Sequence, residues 1–204
     1  MSSSKLFERS LKYINFLMLA LLLAALGLVG WFGWRTLPTV SGSVEAPIAA
    51  AGKISRDSLG VPHIEAASLD DAFFLQGYAT AQDRLWQMDA IRRSTAGELA
   101  EIAGKAALPL DVLARRIGFA RTARVQQTRL SPEDRTILAA YARGVNHYID
   151  THRDRLPPEF AMLGYQPRPW SIADSLLVGL RMTADLTSTA RDRPRQRTHG
   201  PRDY

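Results

Sequence analysis

An uncharged apolar run near the amino terminus constrains this chain more than any other feature. The 22 residues from Tyr13 to Trp34 carry no charged side chain. As a helix they span about 33 Å, enough to cross the ~30 Å hydrocarbon core of a bilayer. Aromatic residues lie at both ends of the run: Tyr13 at one, and Trp31 and Trp34 at the other. This arrangement is typical of transmembrane helices, whose aromatic residues lie at the two membrane interfaces. We therefore predict one transmembrane helix over residues 13–34.

A cleavable signal peptide is the alternative to an anchor. Its apolar region normally covers only about 7–15 residues and is followed closely by a small-residue cleavage site. Here the nearest Ala-x-Ala pattern, Ala49-Ala50-Ala51, lies 15 residues beyond Trp34, which favours an uncleaved anchor. The flank before the run carries more positive charge than the flank after it. The positive-inside rule therefore places residues 1–12 in the cytoplasm and the rest of the chain on the periplasmic or extracellular side of the inner membrane.

Composition and charge exclude several function classes. The chain has no cysteine, so it has no disulfide, no thiolate metal site and no cysteine nucleophile. Its net charge of +6 comes from the two ends, because residues 1–36 and 191–204 each carry +3 and residues 37–190 are neutral. A neutral folded part lacks the basic excess of a nucleic-acid-binding domain, and we expect no nucleic-acid partner.

Composition shifts divide the chain beyond the apolar run into three segments. Residues 35–52 are rich in Thr, Pro, Ser, Gly and Ala and show no helical or strand period, which predicts a linker. Residues 53–190 form the predicted folded domain. Residues 191–204 hold five arginines and no aliphatic side chain, so they cannot bury a core and are predicted to be a disordered basic tail.

Within the domain, a short hairpin precedes a series of helices. The alternating runs 53–57 and 62–66, joined by a Ser-Leu-Gly turn, predict two antiparallel strands. Capping residues and 3–4 spacing of apolar side chains predict the helices, with Gly77 as a weak spot in the first. These helices cover about residues 68–93, 96–103, 109–129, 131–149 and 171–186. The fold class is thus mainly α with a short N-terminal β-hairpin, preceded by one transmembrane helix.

No self-contained catalytic or metal centre is visible in the sequence. His147 and His152 are five residues apart, which does not fit the i, i+4 spacing of a two-histidine metal helix, and we predict no metal ligands. The Asp70-Asp71 pair falls in a first helical turn, where the helix dipole explains it. His63 lies in a predicted strand, and His199 lies in the tail. We therefore predict no catalytic residue in this chain.

Arginine-rich stretches allow more than one interpretation. Arg92-Arg93 ends a long helix, where cations complement the dipole, but the pair could instead form structural ion pairs with another segment. The predicted helix 109–129 carries several arginines that could bind phosphates. It has little aromatic interleaving, so a solvated face is the preferred interpretation.

Several long motifs resemble the penicillin acylase (penicillin amidase) family. They are collinear from about residue 54 to residue 187, some two thirds of the chain. The most specific one is GYATAQDRLWQMD at residues 77–89. Others are ISRDSLGVPHI at 54–64, RRSTAGELAE at 92–101 and YARGVN at 141–146.

The resemblance implies an N-terminal nucleophile hydrolase of αββα architecture, cut from a precursor into an α and a β chain. Only the α portion is matched here. In the family, the nucleophile is the serine at the start of the β chain, whose α-amine acts as base through a water. The reaction is hydrolysis of a linear amide, such as an N-acyl β-lactam or an acyl-homoserine lactone. The resemblance also implies a structural calcium ion and, for this chain, a β-chain partner.

One residue of the acyl-binding pocket is carried over by the resemblance. Met182 matches the penicillin-type pattern, whereas Asp185 and Leu186 replace the residues expected there. The acidic calcium ligand would fall near Asp192, in the divergent tail, and is not carried over.

The change to Arg/Pro-rich sequence near residue 190 indicates a frameshifted or truncated product. We expect an α-chain fragment that is inactive alone. The alternative is a membrane-tethered, non-enzymatic helical module that binds a partner.

Overall fold

The computed structural model describes residues 3–36 and 41–191 and shows a mainly helical chain with one hairpin. Ten elements follow one another, with a 3₁₀ turn at Lys105–Ala107. They are α1 (Ser3–Thr36), β1 (Lys53–Arg56), β2 (Pro62–Glu65), α2 (Leu69–Ala96), α3 (Ala100–Ala103), α4 (Leu108–Ile117), α5 (Phe119–Arg129), α6 (Pro132–Thr151), α7 (Pro158–Met162) and α8 (Ile172–Arg191). The predicted fold class is confirmed for the hairpin and the helical domain.

Helix α1 contains the predicted apolar run. Its stretch Leu11–Trp31 has a mean hydropathy of 2.2, and none of it is buried against the rest of the chain. By length and composition this helix can cross a membrane or serve as a signal sequence.

The hairpin pairs β1 and β2 antiparallel, with Ile54 opposite Ile64. Asp57 organises the turn because its Oδ1 accepts hydrogen bonds from the backbone N–H groups of Leu59 and Val61, both at 2.9 Å. These bonds hold the pKa of Asp57 below its usual range, with the Val61 bond contributing most. The turn closes at Gly60, whose φ of 78° is the left-handed conformation that favours glycine.

Helix α2 begins at the predicted cap and ends three residues later than expected. The Ser68 hydroxyl accepts from the Asp71 N–H at 3.1 Å, and Gly97, with φ 76°, closes the other end through a bond to the Arg93 carbonyl. Arg84 has non-helical dihedrals and kinks the helix midway. The left-handed Gly97 also explains why the following helix, α3, starts at Ala100 rather than at Ala96.

Helices α2 and α6 cross with their backbones in direct contact. A Cβ added to Gly77 would lie 2.1 Å from the Tyr141 carbonyl oxygen, and one added to Gly144 would lie 1.9 Å from that of Phe74. Because Gly77 contacts Tyr141 while the earlier Phe74 contacts the later Gly144, the two helices run antiparallel. The sequence predicts Gly77 only as a weak spot in α2; the structure adds that its missing side chain permits this backbone contact with α6.

The predicted helix 109–129 is two helices rather than one. Gly118 adopts φ 83° and its N–H bonds to the Ala114 carbonyl, which ends α4 and begins α5. The segment from Leu156 to Trp170, where the sequence predicts no helix, contains the short helix α7. The first loop residue, Leu156, and Phe160 of α7 are both buried.

The core lies between α2, α6 and the segment that leads into α8. Its buried members are Tyr78, Ala81, Leu85, Met88, Ala142, Val145, Tyr148, Ile149, Leu156, Phe160 and Trp170. A smaller apolar cluster of Ala96, Ala123 and Leu177 joins the end of α2 to α5 and α8. Both clusters fix the first half of α8 on the domain.

The predicted linker contacts the domain before the hairpin begins. The Ala49 N–H donates to Asp71 Oδ1 at 2.9 Å, and His147 Nε2 lies 2.9 Å from the Glu45 carbonyl oxygen. Asp71 is buried, and the Ala49 bond lowers its pKa despite desolvation. The Asp70-Asp71 pair therefore does more than complement the helix dipole, because Asp71 attaches the linker and Asp70 pairs with Arg143.

Candidate functional site

The second half of α8 projects apolar side chains into solvent. Met182 is 60% exposed and Leu186 is 71% exposed. Four residues apart on a helix, they lie on the same face. Upstream, Asp174 and Leu177 of the same helix are buried. The helix is therefore anchored at its start and presents a short apolar strip at its end.

Asp185 lies between these two apolar residues along the chain. Arg181 Nε donates to both of its carboxylate oxygens, at 3.0 and 2.8 Å. Both partners are exposed, so the pair contributes little to stability. The strip therefore leaves apolar surface open to solvent beside an ion pair. Nothing in this arrangement supplies a nucleophile.

The described histidines take structural positions. His63 Nε2 lies 3.3 Å from Asp57 Oδ2 in the hairpin. His147 holds the linker at Glu45, as described above. His152 stacks on Tyr148 with ring centroids 4.2 Å apart. His199 lies outside the described residues. No histidine among residues 3–36 and 41–191 faces an acid and a nucleophile together.

A buried ionic network at the end of α2 positions the start of α8. Asp89 accepts from Arg92 Nε at 2.7 Å and from Arg93 Nε at 2.8 Å. The hydroxyl of Tyr165 donates to the same carboxylate at 2.7 Å. Burial alone would raise the pKa of Asp89, but Arg92, Tyr165 and Arg93 outweigh it and hold that pKa below its usual range.

Arg92 extends the network to the segment that precedes α8. Its guanidinium donates to the carbonyls of Arg168 and Pro169, at 2.8 and 3.2 Å, and lies 3.6 Å from Asp174 Oδ2. Asp174 also caps α8 by accepting from the Ser171 N–H and hydroxyl. Of the two interpretations left open for Arg92-Arg93, structural ion pairing is therefore confirmed.

Motif residues elsewhere also make structural contacts. Arg56 of the hairpin donates to both oxygens of Asp83, at 2.9 and 2.7 Å, and to Gln82 at 2.7 Å. The Asn146 side chain exchanges two hydrogen bonds with the Trp170 backbone, at 2.9 and 2.6 Å. These contacts join the hairpin to α2 and α6 to the segment before α8. The long motifs therefore specify how the domain packs.

A cleft between α5 and α8 is lined by small side chains, including Ala96, Ala120 and Ala123. At its edge, Arg168 lies 3.1 Å from Glu98 and 3.3 Å from Asp174, whereas Arg124, which also lines the cleft, forms no ion pair within the described part of the chain. Across the residues that the structure describes, no group of three potential metal ligands occurs. The cleft thus presents neither a metal site nor an activated nucleophile.

The domain that these contacts hold together matches a known family. Residues 51–202 match the family described as penicillin amidase, which covers well over half of the chain. The chain belongs to the penicillin amidase family. The resemblance drawn from the sequence motifs is confirmed.

Relatives within the penicillin amidase family carry two kinds of name. The acyl-homoserine lactone acylase QuiP of Pseudomonas fluorescens is 39% identical over 76% of this chain and 20% of its own length. Penicillin acylase 2 proenzyme of a Pseudomonas species is 38% identical over 72% of this chain and 19% of its own length. Penicillin G acylase of Escherichia coli is 41% identical over 62% and 15%. The chain spans about a fifth of the length of such relatives.

A solved penicillin amidase structure has the same fold. The thermostable penicillin G acylase of Alcaligenes faecalis superposes with a TM-score of 0.62 and 34% identity. The match covers 68% of this chain and 75% of the chain in that structure. The observed hairpin and helices are therefore those of the family.

Sequence reasoning missed the partners of Arg92. Asp89 precedes it by three residues, a helical spacing that favours an ion pair and could have been recognised. Asp174 lies 82 positions further along the chain, and no local pattern connects the two. Met182 was named from the resemblance alone. The structure places it on the exposed strip of α8, and its role in substrate binding stays a prediction.

Proposed function

We propose that this chain is the α-type portion of a penicillin-amidase-type amidohydrolase. A separate β region bearing an N-terminal serine would complete the active site. Family membership carries the proposal. The exposed strip of Met182 and Leu186 supports it, because an apolar face of that kind favours coverage by a partner.

The proposed reaction is hydrolysis of the C–N bond of a linear amide. The relatives are named as acylases of penicillins and of acyl-homoserine lactones. In both substrate classes an acyl group leaves an amine, and the N-terminal serine of the β region would attack the amide carbonyl. Met182 would contact the acyl group as it enters between the two parts. Without the β region, the chain is proposed to be inactive.

The proposed location is the inner membrane, with the domain on its outer side. The apolar stretch Leu11–Trp31 of α1 supports an anchor, and the excess of basic residues before it supports this orientation. We also propose the structural calcium ion that the family resemblance implies. The corresponding acidic position near Asp192 lies outside the described residues, and those described hold no ligand cluster.

Co-expression tests the proposal directly. The full chain is purified alone and together with the Ser-initiated β region encoded at the same locus. Release of phenylacetate from a phenylacetyl amide, and of fatty acid from an acyl-homoserine lactone, is measured for each. We expect turnover for the pair and none for the chain alone. Replacing the N-terminal serine of the β region by alanine provides the control and abolishes turnover.

Two outcomes would contradict the proposal. Turnover by the chain alone that is lost on substitution of one of its own residues would place the nucleophile here. A genome without any such β region, together with a stable complex between this chain and a protein that is not a hydrolase, would instead support the non-enzymatic membrane-tethered module.

A further inference from the structure

Helix α4 packs on the domain through its polar side. Asp111 is buried and accepts from the backbone N–H groups of Leu99 and Ala100, both at 2.8 Å. Arg115 Nε donates to the Gly97 carbonyl at 2.8 Å. The large aliphatic side chains point away from the domain and are 46–58% exposed: Leu108, Leu110, Val112, Leu113 and Ile117. A surface helix normally buries such residues.

Three of these side chains form a stripe. Leu110, Leu113 and Ile117 follow the 3–4 spacing that places residues on one helix face. Exposed apolar stripes of this kind mark surfaces that contact another molecule. A molecule that covers the stripe must therefore present an apolar surface of its own.

Basic residues are concentrated in the same segment of the chain as the stripe. Residues 105–129 contain six basic residues and a single acidic one, the buried Asp111, a net charge of +5. Of the six, Arg115 bonds to the Gly97 carbonyl. The other five form no ion pair within the part of the chain that the structure describes. A molecule that covers this part of the domain must therefore also carry negative charge.

We propose that α4 and α5 rest on the surface of a bilayer that contains anionic lipids. Amphipathic helices that lie in the membrane interface combine an apolar stripe with flanking basic residues, and both are present here. A purely anionic ligand would satisfy the arginines but leave the leucines in water. The inference rests on the proposed anchoring of the chain by α1.

The tether of the domain is compatible with this contact. Only residues 37–44 lie between α1 and Glu45, where His147 holds the linker, and eight residues span at most about 30 Å. The linker joins the domain near the start of α2, through Asp71, and α4 contacts Gly97 just beyond its end. The 28 residues of α2 are about 42 Å long. With both ends held at the membrane, α2 would lie along the membrane plane.

A single labelled cysteine tests this placement, because the chain has no cysteine of its own. Leu113→Cys is labelled with an environment-sensitive fluorophore, and the full chain is reconstituted into vesicles of phosphatidylcholine and phosphatidylglycerol in equal parts. Leu59→Cys, at an 87% exposed leucine in the hairpin turn, is the matched control. We expect blue-shifted emission and quenching by nitroxide-labelled lipid at position 113, several-fold stronger than at position 59.

A second set of measurements tests whether the contact needs negatively charged lipid. The effect at position 113 should fall in vesicles of phosphatidylcholine alone, at high salt, and in the double variant Arg116→Glu, Arg121→Glu. Arg153→Glu, an exposed substitution in the turn after α6, should leave it unchanged. Equal signals at positions 113 and 59, or shielding that is indifferent to lipid charge, would overturn the proposal. So would shielding that appears only when a β region is added, since the surface would then belong to a protein partner.

An alkaline wash separates this inference from the anchoring on which it rests. If the chain stays in the vesicles while the label at position 113 remains in water, the surface contact is refuted and the anchor stands. If the wash releases the chain, the anchor itself is refuted. Hydrolytic activity with a β region is a separate measurement and depends on neither result.

Discussion

Arg92 Nε donates a hydrogen bond to Asp89 Oδ1 at 2.7 Å, and both side chains are 1% exposed. Two charges buried so completely are each costly to remove from water, and their contact with each other and with the remaining partners of the network offsets that cost. Because Arg92 also binds the carbonyls of Arg168 and Pro169, the pair connects the end of α2 to the start of α8.

The first prediction concerns the loss of the Asp89 charge. In Asp89→Asn, the buried guanidinium of Arg92 keeps only Asp174, at 3.6 Å, as a counter-charge, and Arg93 loses a buried partner as well. We therefore expect the free energy of unfolding to fall by about 3 kcal/mol. Denaturant unfolding followed by circular dichroism measures this. Asp150→Asn, in an exposed pair with Arg153, is the control and should change stability by less than about 0.5 kcal/mol. Equal effects of the two variants would show that the buried network contributes nothing.

The second prediction concerns acid. The pKa of Asp89 is held below its usual range in the folded state, so the folded protein binds a proton there less readily than the unfolded chain. The stabilisation that the Asp89 carboxylate contributes is complete above the pKa of about 3.9 that it has in the unfolded chain. This stabilisation is lost as the pH falls through the lower pKa of Asp89 in the folded protein. Thermal unfolding recorded from neutral to strongly acidic pH should show this loss. Part of it should be missing in Asp89→Asn, while Asp57 and Asp71, whose pKa values are also lowered, account for another part.

The third prediction compares two glycines in helices. Gly77→Ala would bring a Cβ to 2.1 Å from the Tyr141 carbonyl oxygen, and α2 must separate from α6 to admit it, at a cost of roughly 1–3 kcal/mol or more. Gly179→Ala in α8 meets nothing within 4 Å and should stabilise the chain by roughly 0.5–1 kcal/mol. The melting temperatures of both variants, compared with that of the parent chain, test the two expectations. A neutral Gly77→Ala would mean that the two helices are not in backbone contact.

The fourth prediction separates the folding of α8 from its proposed role. Met182→Asp changes an exposed side chain, so the melting temperature should remain close to that of the parent chain. In the presence of the β region, we expect amidase activity to fall, because a carboxylate would be placed against the acyl group or the partner. Thr183→Asp, at the neighbouring exposed position on another face of the helix, is the matched control and should retain more activity. A comparable loss in both variants would argue against a specific role for Met182.

Local signals were sufficient to predict most of the elements. Ser131 and Ser171 each begin a helix with the expected cap, since the Asp134 and Asp174 N–H groups bond to their hydroxyls. The hairpin lies within one residue of its predicted bounds. The caps depend on neighbours three positions apart and the hairpin on residues at most twelve positions apart, and a sequence displays both directly.

Features that depend on distant segments were not predictable in the same way. The Arg92 bond to the Pro169 carbonyl joins residues 77 positions apart. The contribution of Gly77 to packing depends on α6, which contacts it from a distant part of the chain. None of the residues next to Gly77 in the sequence reveals that contact. Gly118 was visible in the sequence, but periodicity alone did not show that it adopts the left-handed conformation that divides α4 from α5.

The crossing at Gly77 and Gly144 has a consequence for how this domain tolerates insertion. One extra residue in α2 between Phe74 and Gly77 would turn the following part of the helix by about 100°. Tyr141 would then face a bulky side chain instead of a hydrogen atom, and α2 and α6 could not both keep their present positions. Length variation in this protein is therefore expected in its loops and termini, while the spacing from Phe74 to Gly77 and from Tyr141 to Gly144 is fixed.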